Sequence, residues 1–169
     1  MQYKESEILE LKSSFGEWKE IILSLSSFAN KRGGTVIVGL SDQGQPLHLQ
    51  LGKNTIEDFV NKVKNHTDPV LYPSINVKTF GLGEIVEITI PKSDYKPVFA
   101  FDKAWVRVGR SNVKMTSNEI RELILRYTYK EFDTKKISLK NKEVKLDQQT
   151  LEKFPDLADK PIDDFNIAK

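Results

Sequence analysis

Carboxylates are the first residues in this sequence whose types and spacing could do chemistry. Glu5, Glu7 and Glu10 surround a short apolar stretch near the N-terminus, and Asp42 follows a later β-branched run. Their oxygens suit a divalent cation, which could activate water or stabilise charge on a phosphodiester. The alternative is an edge strand with ordinary solvated carboxylates. In an ideal strand Glu5 and Glu10 lie on opposite faces, so a shared site requires a bend in the chain.

A basic segment over residues 102–114 is the second candidate, with four basic residues and one acidic residue, a local net charge of +3. Strand alternation predicts that Val106 and Val108 face the core while Trp105 and Arg107 share the other face. Arginine beside an exposed aromatic ring is typical of a groove that binds phosphates and stacks bases. The alternative is a packed tryptophan with the arginine paired to a carboxylate. The basic residues are Lys103, Arg107, Arg110 and Lys114.

A third candidate is Lys31-Arg32-Gly33-Gly34, which ends one helical pattern and leads into a buried strand. Cations are favoured at a helix C-terminus, where Lys31 and Arg32 could also contact phosphates. The two glycines allow a sharp turn or a close approach to a ligand, although tight packing alone could require them. No GxxxxGK[ST] motif occurs, so nothing here favours nucleotide hydrolysis.

Composition excludes several classes of site. The 169 residues include no cysteine, which rules out disulfides, thiol nucleophiles and cysteine-containing zinc sites. The two histidines, His48 and His66, show no ligand spacing, so neither a histidine-rich metal centre nor a Ser-His-Asp triad is expected. No apolar run approaches the roughly 18–20 residues that span a bilayer, and the N-terminus does not read as a signal peptide. We therefore expect a cytoplasmic protein without a membrane partner.

The elements that must position these candidates alternate along the chain in the order β-α-β-α-β-β-β-β-α. Ser14 with Glu17 and Thr116 with Glu119 have the spacing of capping boxes at two helix starts. This order predicts a mixed α/β, or α+β, domain. The predicted strands cover residues 8–11, 35–40, 75–80, 85–90, 97–101 and 104–108, and the middle helix includes residues 56–63.

Charge and composition divide the chain after residue 128. Residues 1–128 carry 17 basic and 15 acidic groups, whereas residues 129–169 carry nine of each and contain neither glycine nor tryptophan. The overall charge of +2 therefore belongs to the first part. We expect residues 1–128 to form the functional domain and residues 129–169 to form a polar C-terminal extension.

Taken together, the motifs resemble the AlbA-like DNA-binding domain of the Schlafen family, over about residues 5–127. This resemblance implies a mixed β-sheet with about three helices and a role in binding nucleic acid, either RNA or DNA. The segments that carry it are Glu5-Ser6 with residues 9–12 (LELK), residues 27–30 (SFAN) with Gly33-Gly34, residues 37–42 (IVGLSD) and residues 105–110 (WVRVGR).

The resemblance also implies a chemistry. Schlafen members include metal-dependent endoribonucleases that cut structured RNA such as tRNA, with two glutamates and an aspartate as the catalytic triad. Glu5 and Glu10 match the glutamates, Asp42 matches the aspartate, and Lys12 matches the basic residue that follows. A similar nuclease would hold Mg²⁺ or Mn²⁺ on this triad, with Lys12 stabilising the developing charge.

Two departures from the Schlafen pattern shape the expectation. A cysteine-free chain cannot form the Cys/His zinc site of that branch, so no zinc site is expected. Schlafen cores join two lobes into a cradle, whereas this chain has one lobe and would need to form a homodimer. We expect a nucleic-acid-binding homodimer that contacts phosphates through Lys31, Arg32, Arg107, Arg110 and Lys114, with Trp105 as a surface for stacking bases. The alternatives are a metal-dependent nuclease, a non-catalytic DNA-binding transcriptional regulator, or a protein-interaction module.

Overall fold

The computed structural model describes the backbone of residues 3–80 and 83–134 and the side chains as far as residue 127. The predicted extension falls mostly outside this range. The strands are β1 (Leu9–Lys12), β2 (Gly33–Val38), β3 (Thr67–Asp68), β4 (Ser74–Phe80), β5 (Gly83–Pro91), β6 (Phe99–Ala100), β7 (Lys103–Val108) and β8 (Ser111–Lys114). The helices are α1 (Trp18–Asn30), preceded by a 3₁₀ turn (Phe15–Glu17), α2 (Thr55–His66) and α3 (Ser117–Thr134).

The eight strands of the described part of the chain form two four-stranded sheets. The first has the order β1-β2-β5-β4, in which β1 and β2 run parallel and the other neighbours antiparallel. The second has the order β3-β6-β7-β8 and is antiparallel throughout. Parallel pairing requires a crossover connection, and α1 supplies it between β1 and β2.

The helix α1 is the element that both sheets share. It packs against β2 and β5 of the first sheet and against β6, β7 and β8 of the second. A helix buried on nearly every side must be apolar or carry polar groups with internal partners. Its buried apolar residues, which join the main core, are Ile21, Ile22, Leu25, Phe28 and Ala29.

The predicted fold class is confirmed, with three helices and a mixed sheet. The Thr116–Glu119 capping box is also confirmed, because Thr116 N–H donates to Glu119 Oε2 at 2.7 Å and Glu119 N–H donates to Thr116 Oγ1 at 3.3 Å. The predicted partnership of Ser14 with Glu17 is replaced at the first helix. Ser13 is the partner, and its N–H and Oγ–H both donate to Glu17 Oε1. The short strands β3 and β8 were not predicted from the sequence.

Gly33 forms the tight connection between α1 and β2. Its φ of +81° lies in the left-handed region, and a Cβ there would lie 2.8 Å from both the Ile90 carbonyl oxygen and the Lys92 nitrogen. Both contacts are with backbone atoms, which cannot rotate away as a side chain could. Gly109, in the β7–β8 turn, also has a positive φ of +58°, but a Cβ there would meet nothing within 4 Å.

We therefore predict that Gly33→Ala lowers the free energy of unfolding more than Gly109→Ala. The left-handed backbone should cost about 1–2 kcal/mol at either position, and the clash with β5 should add about 1–3 kcal/mol at Gly33 alone. Urea denaturation followed by circular dichroism measures both. Equal losses for the two variants would show that β5 can move away from Gly33.

Candidate functional site

A buried ion pair joins the two sheets. Glu10 on β1 and Arg107 on β7 place Oε2 and Nη2 2.5 Å apart, with the Arg107 side chain fully buried and that of Glu10 9% exposed. The N–H bonds of Nη2 are not aligned with Glu10 Oε2 as a hydrogen bond requires, so the attraction between the two groups is chiefly electrostatic. Because a buried charge without a partner is very costly, each residue requires the other.

Further contacts hold the Arg107 guanidinium in place. Nη1 donates to Asn112 Oδ1 at 3.0 Å, and Nη2 donates to the Ser6 carbonyl at 3.1 Å. Asn112 in turn donates to Ser24 Oγ of α1 at 2.9 Å, and the Phe28 ring lies 5.1 Å from the guanidinium carbon. The side chain therefore links β1, α1, β7 and β8, although its Nε has no partner among the described residues.

This burial corrects two sequence predictions. Trp105 and Arg107 do share a face of β7, but that face packs against α1 instead of facing solvent, so Arg107 cannot act as the expected phosphate contact. Val108, expected in the core, is 55% exposed. The reason is that Glu10 supplies a counter-charge from another strand, which allows the fold to bury an arginine.

Lys12, which the resemblance matched to a residue that stabilises developing charge, lies among carboxylates. Its Nζ is 2.9 Å from Glu20 Oε2, 3.3 Å from Glu10 Oε1 and 3.6 Å from Glu17 Oε2. Burial by itself would lower the pKa of Lys12, but the hydrogen bond to Glu20 and the charges of Glu10 and Glu20 outweigh it and raise the pKa. Lys12 is therefore held as a cation by these three partners.

The three predicted metal ligands do not come together as a ligand set. Glu10 is neutralised by Arg107 and Lys12, Glu5 Oε1 accepts the Leu11 N–H at 3.4 Å, and Asp42 is exposed in the turn after β2. Among the residues that the structure describes, no three histidine, aspartate or glutamate side chains cluster closely enough for a metal ion. The residues therefore do not fit the Mg²⁺ or Mn²⁺ site that the resemblance implied.

The cations at the end of α1 are partly engaged. Lys31 Nζ lies 2.5 Å from Glu7 Oε1 and donates to the Arg107 carbonyl at 2.6 Å. Arg32, whose side chain is 72% exposed, approaches Glu7 Oε2 at 3.4 Å. The hydrogen bond from Lys31 lowers the pKa of Glu7. Lys31 therefore stabilises the fold through these contacts, whereas the Arg32 side chain stays accessible to solvent.

The β7–β8 hairpin carries three exposed cations. Lys103, Arg110 and Lys114 are exposed and form no ion pair with any described residue. Trp105, paired in register with Lys114, is half-buried, and its Nε1 donates to the Ala100 carbonyl at 3.3 Å. The exposed charges, and not the tryptophan, dominate this surface.

A second basic group was not predicted from the sequence. Lys92 and Lys96 follow β5 and meet Arg126 of α3 beside Lys31, in one cleft. The available signal was the segment 91–97 (PKSDYKP), where two lysines four residues apart stand between prolines. Only the packing of α3 shows that Arg126 joins them.

Comparison with protein families identifies the domain. The model described as Schlafen, AlbA_2 matches residues 5–116, well over half of the chain. The chain belongs to this family. Its described elements accordingly form a Schlafen AlbA-like domain, and membership indicates a nucleic-acid-related function. No curated protein matches the chain.

Solved structures share the fold of this Schlafen AlbA-like domain at low sequence identity. The DIP2311 protein from Corynebacterium diphtheriae is 17% identical with a TM-score of 0.56, over 69% of this chain and 23% of that one. The N-terminal domain of an ATP-dependent DNA helicase RecG-related protein from Nitrosomonas europaea is 20% identical with a TM-score of 0.50, over 68% and 86%. The chain thus matches under a quarter of the first protein's length.

No helix in the described part is long and apolar enough to cross a membrane.

We predict that Glu10→Gln lowers the free energy of unfolding by about 3–5 kcal/mol, because it leaves the Arg107 charge buried without a full counter-charge. The matched control is Glu20→Gln, which removes an exposed partner of Lys12 and should cost at most about 1 kcal/mol. Urea denaturation followed by circular dichroism measures both.

A double-mutant cycle separates the pair from its surroundings. Glu10→Gln combined with Arg107→Met should cost at least about 1 kcal/mol less than the sum of the single changes, because the two groups interact directly. Strict additivity would contradict the inference that each residue is buried because of the other.

Proposed function

We propose that this domain binds nucleic acid through the exposed cations of the β7–β8 hairpin, together with Arg32. The observation that supports the proposal is the set of free cations on one hairpin: Lys103, Arg110 and Lys114 lack ion pairs with described residues. Free surface cations attract a phosphate backbone and release its condensed counterions on binding. The RecG-related neighbour, named for a DNA helicase, agrees with this class of ligand.

The hairpin is better suited to contact the phosphate backbone of a nucleic acid than to recognise its bases. The tryptophan that could stack a base is half-buried, and its N–H is already bonded to the Ala100 carbonyl. Contacts to phosphates position a protein on nucleic acid and carry little sequence information. We therefore expect binding that is strongly salt-dependent and weakly sequence-dependent.

The interface we propose is smaller than the one the sequence suggested. Arg107 and Lys31 are excluded from it because the first is buried and the second is held by Glu7 and the Arg107 carbonyl. Arg32, Arg110 and Lys114 remain from the predicted set, and Lys103 joins them.

Cleavage is not part of this proposal, because the carboxylates do not form a ligand set. The structure also changes how cleavage of structured RNA, such as tRNA, should be tested. Replacing Glu10 removes the counter-charge of Arg107, so lost activity in that variant would not distinguish chemistry from unfolding. Asp42→Asn is the sharper control because Asp42 is exposed. Equal RNA cleavage by wild type and Asp42→Asn with Mn²⁺ would show that the activity does not depend on this carboxylate.

The predicted homodimer and the protein-interaction alternative stay predictions. Light scattering of the full chain measures the first. A pull-down that recovers protein after nuclease treatment, but never nucleic acid, would favour the second.

We predict that Arg110→Ala combined with Lys114→Ala weakens binding and flattens its salt dependence. Because the variant removes two cations that would each neutralise a phosphate, the slope of log K against log salt should fall by about 1.4 for single-stranded RNA. Fluorescence anisotropy with single-stranded RNA, tRNA and duplex DNA, over about 50 to 300 mM salt, measures it.

The matched control is Lys53→Ala combined with Lys64→Ala. It removes the same charge from exposed positions before and within α2, away from the hairpin. If both variants lose the same nucleic-acid affinity, the loss reflects the change in net charge and not a specific role of the hairpin. Absent or salt-independent binding of all three nucleic acids by wild type would overturn the proposed function.

A further inference from the structure

A basic cleft of about 380 Å³ lies between the C-terminal end of α1, the segment that follows β5, and α3. Four of its lining residues are cationic, and none is acidic. The lining residues are Asn30, Lys31, Lys92, Lys96, Leu123, Arg126 and Tyr127. Such a concentration of one charge sign in a concave site raises the local concentration of anions.

Lys96 lines this cleft, and hydrogen bonds to the backbone hold its ammonium. Its Nζ donates to the Asn30 carbonyl at 2.6 Å and lies 3.4 Å from the Lys31 carbonyl, so it covers the C-terminal end of α1. The same ammonium lies 5.5 Å from the centre of the Tyr127 ring. An ammonium has three N–H donors, so at least one is left for a ligand.

The cleft has an excess of positive charge that the protein itself does not neutralise. Burial and the neighbouring charge of Lys92 lower the pKa of Lys96 to about 8, against a smaller opposing effect from Asp94. Lys92 and Arg126 form no ion pair with any described residue, while the Lys31 ammonium is turned toward Glu7. An anion placed here would relieve the repulsion between Lys92 and Lys96.

We propose that this cleft binds a phosphate group of the nucleic acid, held by Lys92, Lys96 and Arg126. A phosphate offers several oxygens to convergent donors, and arginine can bind two of them at once. Tyr127 is already covered by the Lys96 ammonium, so we assign no base stacking to it. The inference deepens the proposed function and rests on it, because it adds a phosphate contact outside the hairpin.

The site should couple anion binding to protonation. A bound anion favours the charged form of Lys96 and raises its lowered pKa, so binding takes up a proton at pH values near and above 8. Sulfate, whose own charge is constant there, should bind more tightly as the pH falls from about 9 to about 7. The charged or titratable groups that face Lys96 are Lys92 and Asp94 on its own segment, Lys31 on α1, and Arg126 and Tyr127 on α3.

The test compares Lys92→Ala/Arg126→Ala with Lys92→Ala/Arg121→Ala. Arg121 is an exposed residue of the same helix that does not line the cleft, so both variants lose two charges and differ by one site. Calorimetry with pyrophosphate and anisotropy with single-stranded RNA measure the two sources of phosphate separately. We expect Lys92→Ala/Arg126→Ala to lose pyrophosphate binding and to bind RNA about tenfold more weakly than wild type. The slope of log K against log salt should also be lower for this variant.

Each outcome decides the inference. A larger loss of RNA affinity in the Arg126 variant than in the Arg121 variant supports it. RNA affinity that is the same in both overturns it; pyrophosphate binding that depends on Arg126 would then indicate a site for free phosphate compounds. If wild type binds no nucleic acid, the proposed function itself fails, and Arg126-dependent pyrophosphate binding would still locate an anion site in the cleft.

Discussion

The rest of the structure depends on the burial of one charge. Arg107 lies between the two sheets, and the cost of removing a guanidinium from water is offset by Glu10, the Ser6 carbonyl and Asn112. These partners come from opposite ends of the described chain, so the ion pair requires β1, α1 and the β7–β8 hairpin to be in place together. A half-satisfied network of this kind would be worse than an apolar core.

This constraint also decides where function can reside. Arg107 is buried and the Lys31 ammonium is held by Glu7 and the Arg107 carbonyl, so neither is assigned as a phosphate contact. Cations without an ion pair to any described residue lie together in two places, on the β7–β8 hairpin and in the cleft beside α3. Near-neutral overall charge is therefore compatible with basic local surfaces, because Lys12 and Arg107 are paired with carboxylates while the cations of these two places are not.

Much of the fold could be predicted because its signals are local. The helical repeat of apolar residues in α1, the capping box at Thr116 and the β-branched run of β2 each act over a few neighbouring residues. The face of β7 could not be predicted in the same way. Alternation correctly grouped Trp105 with Arg107, but it does not say which face is covered, and a charged residue is normally exposed.

The sequence by itself determined the family, the α+β class and the residues that could carry charge chemistry. Only the tertiary structure decided their roles. Glu10 matches a metal ligand of the family and Arg107 stands in a basic segment typical of phosphate contacts, yet each is the ion-pair partner of the other. Lys92 and Arg126 are 34 positions apart in sequence and acquire a common role only when α3 packs beside the end of β5. The physical reason is that burial and counter-charge depend on contacts between distant segments, whereas sequence patterns report the neighbours along the chain.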